Sequence, residues 1–490
     1  MFGASRAMNN RSQEMETRLR EGFPHREDDN SVAKYVGSGA LSLPGGGVVQ
    51  CRFRADQDAD GSIQIVFGSI SALDFVHHLV SVVKGGITAE FRGTTDDGVA
   101  ITAKCVGGRA LSLDSAGNAT IYFTLRGLVA HPEIALDAEC RLLITNFAFS
   151  PFTHLGEPPA QPPPHILSLD VEPEAAGIEI KPLDDYVRRI VRLQQTRTVL
   201  PTASLIIKTK SSMSVAWYHD LASNLCKLIS VAAGTAVEWI AADGFDPEKN
   251  KHYRFHSARV TKPFCSLPTI PIKDFGFEAN TTILGRYLQA GFNRLREGDE
   301  RQLSSLIAAF LDARLEGEYL ETRGIKIAVT LEIIRSAFAD RLLNERWDAV
   351  MPSALRKNLT RVTSAALKAE GFDAEVIKLA TETLNQLSRP SLRRQIDYIL
   401  EALTLTVDKT VVDAVVAIRN RLVHTGRFIS NVNPKRAGEL KITDSVQEFY
   451  ILLSFVDRLL LRTLDHTGPY MDYSTSDNSQ LQHVIRGFRA

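Results

Sequence analysis

Near the C-terminus, Ala417-Ile418-Arg419-Asn420-Arg421-Leu422-Val423-His424-Thr425-Gly426 brings two arginines, an amide and an imidazole within about two helical turns. These groups suit the cutting of RNA without a metal. RNA carries its own nucleophile, the 2'-hydroxyl, so a protein need only remove that proton, neutralise the phosphate and help the 5'-oxygen leave. An imidazole titrates near neutral pH and serves as general acid or base. A guanidinium offers a permanent charge and a planar fork of donors that matches phosphate oxygens. An asparagine amide can orient either partner.

The chemistry depends on a helix to present it. Asn420 and His424, four apart, share one face, and Arg421 lies one turn before His424. Arg419 is five before His424, about 140° around the axis, so it must reach across or act at a subunit interface. The same spacing occurs at Arg20 and His25 and at Arg126 and His131. Pro24 breaks any helix at the first, and the second follows an alternating strand and stops at Pro132. Only the third has helical surroundings. Val411, Val415, Ile418 and Leu422 form an apolar stripe, Asp408 can cap the start and Gly426 follows the last turn. Asp413, Ala417, Asn420 and His424 form a second, polar stripe on the opposite side. The same pattern also fits a helix whose polar face is simply solvated.

At these residues the chain resembles the HEPN superfamily, whose motif is Arg-Asn-x-x-x-His followed by a glycine in an all-helical C-terminal domain. With a β-rich region in front, the architecture is similar to the ApeA type of HEPN proteins of bacterial anti-phage defence. The resemblance covers roughly residues 285 to 466 as a HEPN-like bundle; for the N-terminal half it is architectural. It implies a metal-independent endoribonuclease without cofactor, dimeric through the bundle, with two motifs meeting in a shared cleft over an RNA substrate. Carried over by position, Arg419 is the motif arginine, Asn420 the polar residue after it and His424 the motif histidine. Arg421 is an additional basic residue, which leaves open which arginine faces the phosphate. Glu332 and Asp413 are candidate supporting residues, Glu332 from an earlier helix that can reach Arg419 or His424. Arg427, Lys435 and Arg436 are candidates for holding the substrate. In this reading the products carry a 2',3'-cyclic phosphate, and the N-terminal half senses a phage-derived or nucleotide trigger. The alternative is a non-catalytic HEPN protein that binds a nucleotide or partner, with a ligand-binding β-rich domain.

Composition sets the frame. The chain has 490 residues, 44% of them hydrophobic and 23% charged, enough for two or three globular domains. Its formal net charge is zero, so attraction to a polyanion must come from a local patch. Five cysteines, Cys51, Cys105, Cys140, Cys226 and Cys265, are odd in number and never in a Cys-x-x-Cys pair. They read as buried thiols in a reducing compartment. With no apolar leader in the first thirty residues and no run long enough for a bilayer, the cytoplasm is the expected location.

The pattern along the chain predicts an α+β multidomain protein: an antiparallel β-sandwich or barrel-like region, an α+β module, then an all-α bundle. Residues 1–32 form a polar arm, 33–156 the β-rich domain, 157–165 a proline-rich connector, 166–284 the α+β module, 285–466 the bundle and 467–490 a loosely held polar tail. Short alternating runs such as Val49-Gln50-Cys51-Arg52-Phe53 and Ile63-Gln64-Ile65-Val66-Phe67 mark the strands. In the module, helices are expected at 184–195 and 219–233, with strands at 203–208, 236–242 and 253–261. In the bundle, apolar stripes run through Leu306, Ile307 and Phe310, through Ile327, Leu331 and Ile334, and through Ile396, Ile399 and Leu400. Val446, Tyr450, Leu453, Leu460 and Leu464 mark the last helix, with Ser445-Val446-Gln447-Glu448 as a capping box at its start.

Other clusters have simpler explanations. His252 and His256 are four apart, a metal spacing only on a helix, and the aromatics between them indicate a strand. His77-His78 lacks a carboxylate partner, Pro44-Gly45-Gly46-Gly47 is a turn without a P-loop ending, and Trp217 to Asp220 opens a helix as a packing element.

Overall fold

A computed structural model describes residues 31–42, 47–71, 89–113, 118–130, 137–149, 167–169, 175–246, 248, 251–257, 262, 267–271, 277–297, 300–315, 317–338, 353–387, 391–474 and 484–487. The polar arm up to residue 30, the proline-rich connector, His77-His78 and Pro44 to Gly46 lie outside these. The chain divides into two units, Met1–Ser266 and Leu267–Ala490.

The first unit is built on one antiparallel sheet of twelve strands. Strands β1 (Ser31–Ser42), β2 (Val48–Asp58), β3 (Ile63–Ser71), β4 (Ala89–Thr95), β5 (Ala100–Leu113) and β6 (Asn118–Ala130) follow the order β3-β2-β1-β4-β5-β6. A further pairing of β3 with β6, Gln64 opposite Thr124 and Ile65 opposite Phe123, closes them into a barrel. Closure removes the exposed edges that an open antiparallel sheet must otherwise protect. Strict alternation makes it possible. Along β2, Cys51, Phe53, Ala55 and Gln57 are buried while Arg52, Arg54 and Asp56 face outward. The barrel interior is dominated by Phe53, Phe67, Phe91 and Phe123, whose ring centroids lie 4.8 to 5.7 Å apart. Gly39 and Gly93 sit opposite each other in β1 and β4. A Cβ at either would come within 2.6 Å of the Phe91 ring, so only glycine lets the strands pass beneath it.

The barrel and the expected α+β module share this sheet. The second half of β6 pairs with β12 (Lys251–Ser257), and the order continues through β11 (Trp239–Phe245), β7 (Asp137–Thr145), β10 (Pro201–Met213), β9 (Ala175–Pro182) and β8 (Leu167–Leu169). Helices α1 (Tyr186–Thr196) and α2 (Val215–Ala233) pack against this extension. His256 lies in β12, and its ring is already engaged: Nε2 accepts from the Tyr35 hydroxyl at 2.7 Å and Nδ1 donates to Gln57 Oε1 at 2.6 Å. Gln57 Nε2 in turn donates to the carbonyls of Ile240 and Ser257. Cys51, Cys105, Cys140 and Cys226 are buried, and burial pushes the thiols of Cys51 and Cys105 up to about 12.

The second unit is helical. Its elements are α3 (Phe277–Glu297), α4 (Glu300–Asp312), α5 (Leu320–Phe338), α6 (Ser353–Ala369), α7 (Ala374–Leu387), α8 (Leu392–Ala402), α9 (Lys409–Thr425), α10 (Ile429–Val432), α11 (Pro434–Glu439) and α12 (Ser445–Thr463). Helix α5 is central and touches α4, α8, α9 and α12. Its apolar residues accordingly spread around the axis, with Ile327, Ala328, Leu331 and Ile334 all buried. Gly324 in α5 allows the close approach, since a Cβ there would lie 2.8 Å from the Phe428 ring. From just beyond the end of α4 to α12 runs a buried ion pair, Arg314 Nη2 to Asp457 Oδ2 at 2.5 Å, with the guanidinium 3.9 Å over the Phe310 ring. Desolvation holds the Asp457 carboxyl above the usual carboxylate range despite that arginine.

Two expectations are corrected at the last helix and beyond it. The cap of α12 is Asp444, whose carboxylate accepts the Gln447 N–H at 2.8 Å, while Gln447 Oε1 reaches back to the Thr443 N–H at 2.7 Å. The box therefore starts one residue earlier than Ser445, which leaves Val446 exposed and Glu448 wholly buried. After the helix, the segment expected as a loose tail forms strands β13 (Pro469–Asp472) and β14 (Val484–Gly487). Tyr470, Met471 and Tyr473 are buried there, because β13 docks its apolar residues and the Tyr473 hydroxyl donates to the Pro268 carbonyl at 2.7 Å.

Candidate active site

Helix α9 holds Arg419, Asn420, Arg421 and His424, and its ends are sealed as its sequence suggests. Asp408 accepts the Thr410 N–H at 2.7 Å, and Gly426, in the left-handed conformation at φ 68°, donates its N–H to the Leu422 carbonyl at 2.8 Å. Val412, Ala414, Val415, Ile418 and Leu422 are buried against the bundle, whereas Val411 is only half-buried. The next segment is pinned by Glu448, which accepts the N–H groups of Ile429 and Ser430 at 2.9 and 2.7 Å. A buried carboxylate at the start of α10 thus fixes the chain just beyond His424. Its role as an anchor was hidden in the sequence by the apparent capping box.

His424 is exposed on the last turn of α9. Its ring makes no hydrogen bond among the described residues, so both nitrogens can meet a substrate. Arg419 is placed differently. Its Nη2 lies 2.6 Å from Glu332 Oε1, outside hydrogen-bond angles, and Nη1 donates to Asn420 Oδ1 at 2.9 Å. The other Glu332 oxygen takes Arg335 Nε and Nη2 at 2.7 and 2.6 Å, and Arg335 Nη1 donates to Gln395 at 2.7 Å. A chain of polar contacts therefore runs from α9 through α5 to α8. Asn420 is turned toward Arg419, and Glu332 meets Arg419 with no contact to His424 among the described residues.

The remaining candidates separate into two groups. Asp413 is paired with Arg393 of α8, eleven residues and about 16 Å along the helix from His424. Arg436 is paired with Glu439 at 2.8 Å, and Lys435 is exposed beside it. Arg421 and Arg427, in contrast, have no carboxylate partner among the described residues. Arg421 is about 60° from His424 around the axis, and its buried Nε lacks a hydrogen-bond partner there. On α9 itself, Arg421 is therefore the charge one turn from the imidazole that no described carboxylate takes up. Among the described residues no group of three His, Cys, Asp or Glu is arranged to hold a metal ion.

A feature of the first unit went unnoticed in the sequence. Arg188, Arg189 and Arg192 of α1 line a pocket of about 320 Å³ with Asp185 and Gln195. The signal was the run Arg188-Arg189-x-x-Arg192, whose helical spacing gathers guanidinium groups beside one opening. Arg189 is partly tied, donating to the carbonyls of Asp184 and Pro201 at 3.2 Å. No helix among the described residues is long and apolar enough to cross a membrane. Compared with protein-family models, with curated proteins and with solved structures, the chain finds no match.

Proposed function

We propose that the chain is a metal-independent endoribonuclease of HEPN type acting in anti-phage defence, with His424 as the proton-transfer group. The observation that supports this most is an exposed imidazole one turn from Arg421, the ring unengaged and the arginine without a carboxylate partner among the described residues, on a helix held by caps and packing. His424 takes the 2'-hydroxyl proton or protonates the leaving 5'-oxygen. Arg421 and Arg427 neutralise the phosphate, and Arg419 is a positioning residue held by Glu332 and Asn420. One chain supplies one histidine, so acid and base together require two copies with facing motifs. The barrel-and-sheet unit is the regulator, and its arginine-lined pocket suits an anionic trigger such as a nucleotide.

The pairing of Arg419 with Glu332 favours a second reading, a non-catalytic binding protein in which the motif arginine only ties helices together. Labelled RNA incubated with the purified chain in chelator separates the two. The nuclease reading expects fragments ending in 2',3'-cyclic phosphate and 5'-hydroxyl, abolished in His424→Ala and strongly reduced in Arg421→Ala. Equal cleavage by wild type and His424→Ala, both folded, refutes it.

A further inference from the structure

Three consecutive carbonyls, where the chain enters the second unit, are each held by a group of that unit. Arg314 Nε donates to Leu267 at 3.4 Å, the Tyr473 hydroxyl to Pro268 at 2.7 Å and the Met471 N–H to Thr269 at 2.8 Å. Two of these bonds come from residues 469–474, a strap that lies along α12. Tyr473 stacks on Tyr450 with ring centroids 5.9 Å apart, and its N–H donates to Ser454 Oγ at 2.8 Å. Tyr450, Ser454 and Asp457 fall within about 60° of arc, so one face of α12 takes the strap. Glu448, about 160° around the same helix, accepts the N–H groups of Ile429 and Ser430 just beyond His424. Helix α12 is therefore fixed by the strap on one side and by the mount of His424 on the other.

The strap has a hinge and an incomplete seat. The chain leaves α12 through Asp465, a non-glycine residue at φ 57°. Gly468 then passes the His466 ring, which a Cβ there would meet at 2.7 Å. Tyr470, Met471 and Tyr473 are each 5% exposed or less, so apolar burial favours the docked strap. Polar groups in the same seat oppose it. Asp457 is wholly buried, and its Oδ1 has no hydrogen-bond partner among the described residues. Asp472 of the strap, itself buried, adds a second carboxylate whose charge acts on Asp457. Apolar gain set against an uncompensated buried oxygen leaves a small net preference. That is the condition for a segment to come away while the helices beneath it stay folded.

We infer that residues 469–474 are a releasable latch on α12: docked, the strap holds Glu448 against the segment that mounts His424, and released, it loosens that segment. As regulation of the proposed site it rests on the nuclease reading, but its test reads amide exchange in the full chain and not cleavage. In wild type, the slowest amides of 427–432 and of 469–474 should share one protection factor, lower than that of the slowest amides of 392–402 in α8. Tyr473→Phe keeps the ring and loses the bond to Pro268, and Ser454→Ala leaves the Tyr473 N–H without its acceptor. Each should quicken exchange at 427–432 and 469–474 together by about 10-fold. Ile396→Val, a core change in α8, weakens docked and released states alike, so it should quicken 392–402 and leave the other two peptides unchanged. If Ile396→Val quickens all three peptides equally, the strap leaves only when the whole unit unfolds, and the latch is overturned. Acceleration at 469–474 without 427–432 in the latch variants overturns it too, because the strap then has no hold on the mount of His424. So does no acceleration at either. A wild type that cuts no RNA refutes the nuclease reading and leaves these exchange outcomes to decide the latch.

Discussion

Replacing Glu332 tests whether the polar chain between α9, α5 and α8 holds the site together. Arg419 and Glu332 are 18% and 23% exposed, intermediate between a surface pair and a sealed one. With charge centres about 4 Å apart and an effective dielectric of about 20, their attraction is about 4 kcal/mol before desolvation. Burial cost removes much of this, leaving about 1 to 2 kcal/mol of net coupling. Glu332→Gln also leaves Arg335 and Arg419 facing each other without the carboxylate between them, so its cost should be about 2 kcal/mol. Arg419→Gln leaves the Glu332–Arg335 pair intact and should cost about 1 kcal/mol. The double variant should cost close to Glu332→Gln alone, because removing Arg419 also removes the repulsion. Amide hydrogen exchange of peptides from 409–425 reports the bundle directly. At about 1.4 kcal/mol per decade, exchange should quicken about 30-fold in Glu332→Gln and about 5-fold in Arg419→Gln. If the two effects add to within about 0.3 kcal/mol, the pair is not coupled and the network account is wrong.

His466 and the salt response give two more checks. Burial holds the His466 imidazole below its ordinary value, its Nε2–H donating to the Pro469 carbonyl at 3.0 Å and its ring edge-on to Tyr287. A depressed pKa in the folded state means that this contribution is complete above about pH 6.5 and is lost as pH falls through the folded value. Hydrogen exchange of the second unit should therefore accelerate on acidification in wild type beyond the intrinsic pH effect, and less so in His466→Gln; equal pH responses would rule this out. For RNA binding, Arg421 and Arg427 from two chains supply about four unopposed charges, so log affinity should fall with log salt at a slope of about −2.8. Filter binding with uncleavable 2'-deoxy-substituted RNA measures it, and a slope steeper than about −5 would mean that the main contact lies elsewhere.

How much could be seen in the sequence depends on the range of each interaction. Asp408 and Gly426 bound α9 through contacts within four residues, and these were legible as cap signals. The strands of the barrel were legible from alternation, but its closure was not, because Gln64 and Thr124 are sixty residues apart and no local pattern selects that pairing. The placement of β7 between β11 and β10 failed for the same reason, so barrel and module looked separable where they share a sheet. At α12 two overlapping cap patterns competed, Asp444 with Gln447 and Ser445 with Glu448. The second is prevented because Glu448 is needed by the N–H groups of Ile429 and Ser430. Glu332 was within reach of Arg419 in principle, whereas the further links to Arg335 and Gln395 arise only once three helices pack.

The same network determines which substitutions can speak about chemistry. Arg419 pairs with Glu332 and Asn420, so its removal disturbs the contact between α9 and α5 whether or not it ever touches a phosphate. Loss of cleavage in Arg419→Ala would follow whether the guanidinium touches a phosphate or only positions α9. His424 is exposed and Arg421 has no carboxylate partner among the described residues, so neither supports the bundle through an ion pair there. A side chain that makes few contacts in the fold but is placed on a rigid, capped helix can be removed at little structural cost. At exposed His424, loss of cleavage would then come from what the ring does to a bound molecule, whereas Arg421 is half-buried with its Nε enclosed, so its removal also costs packing.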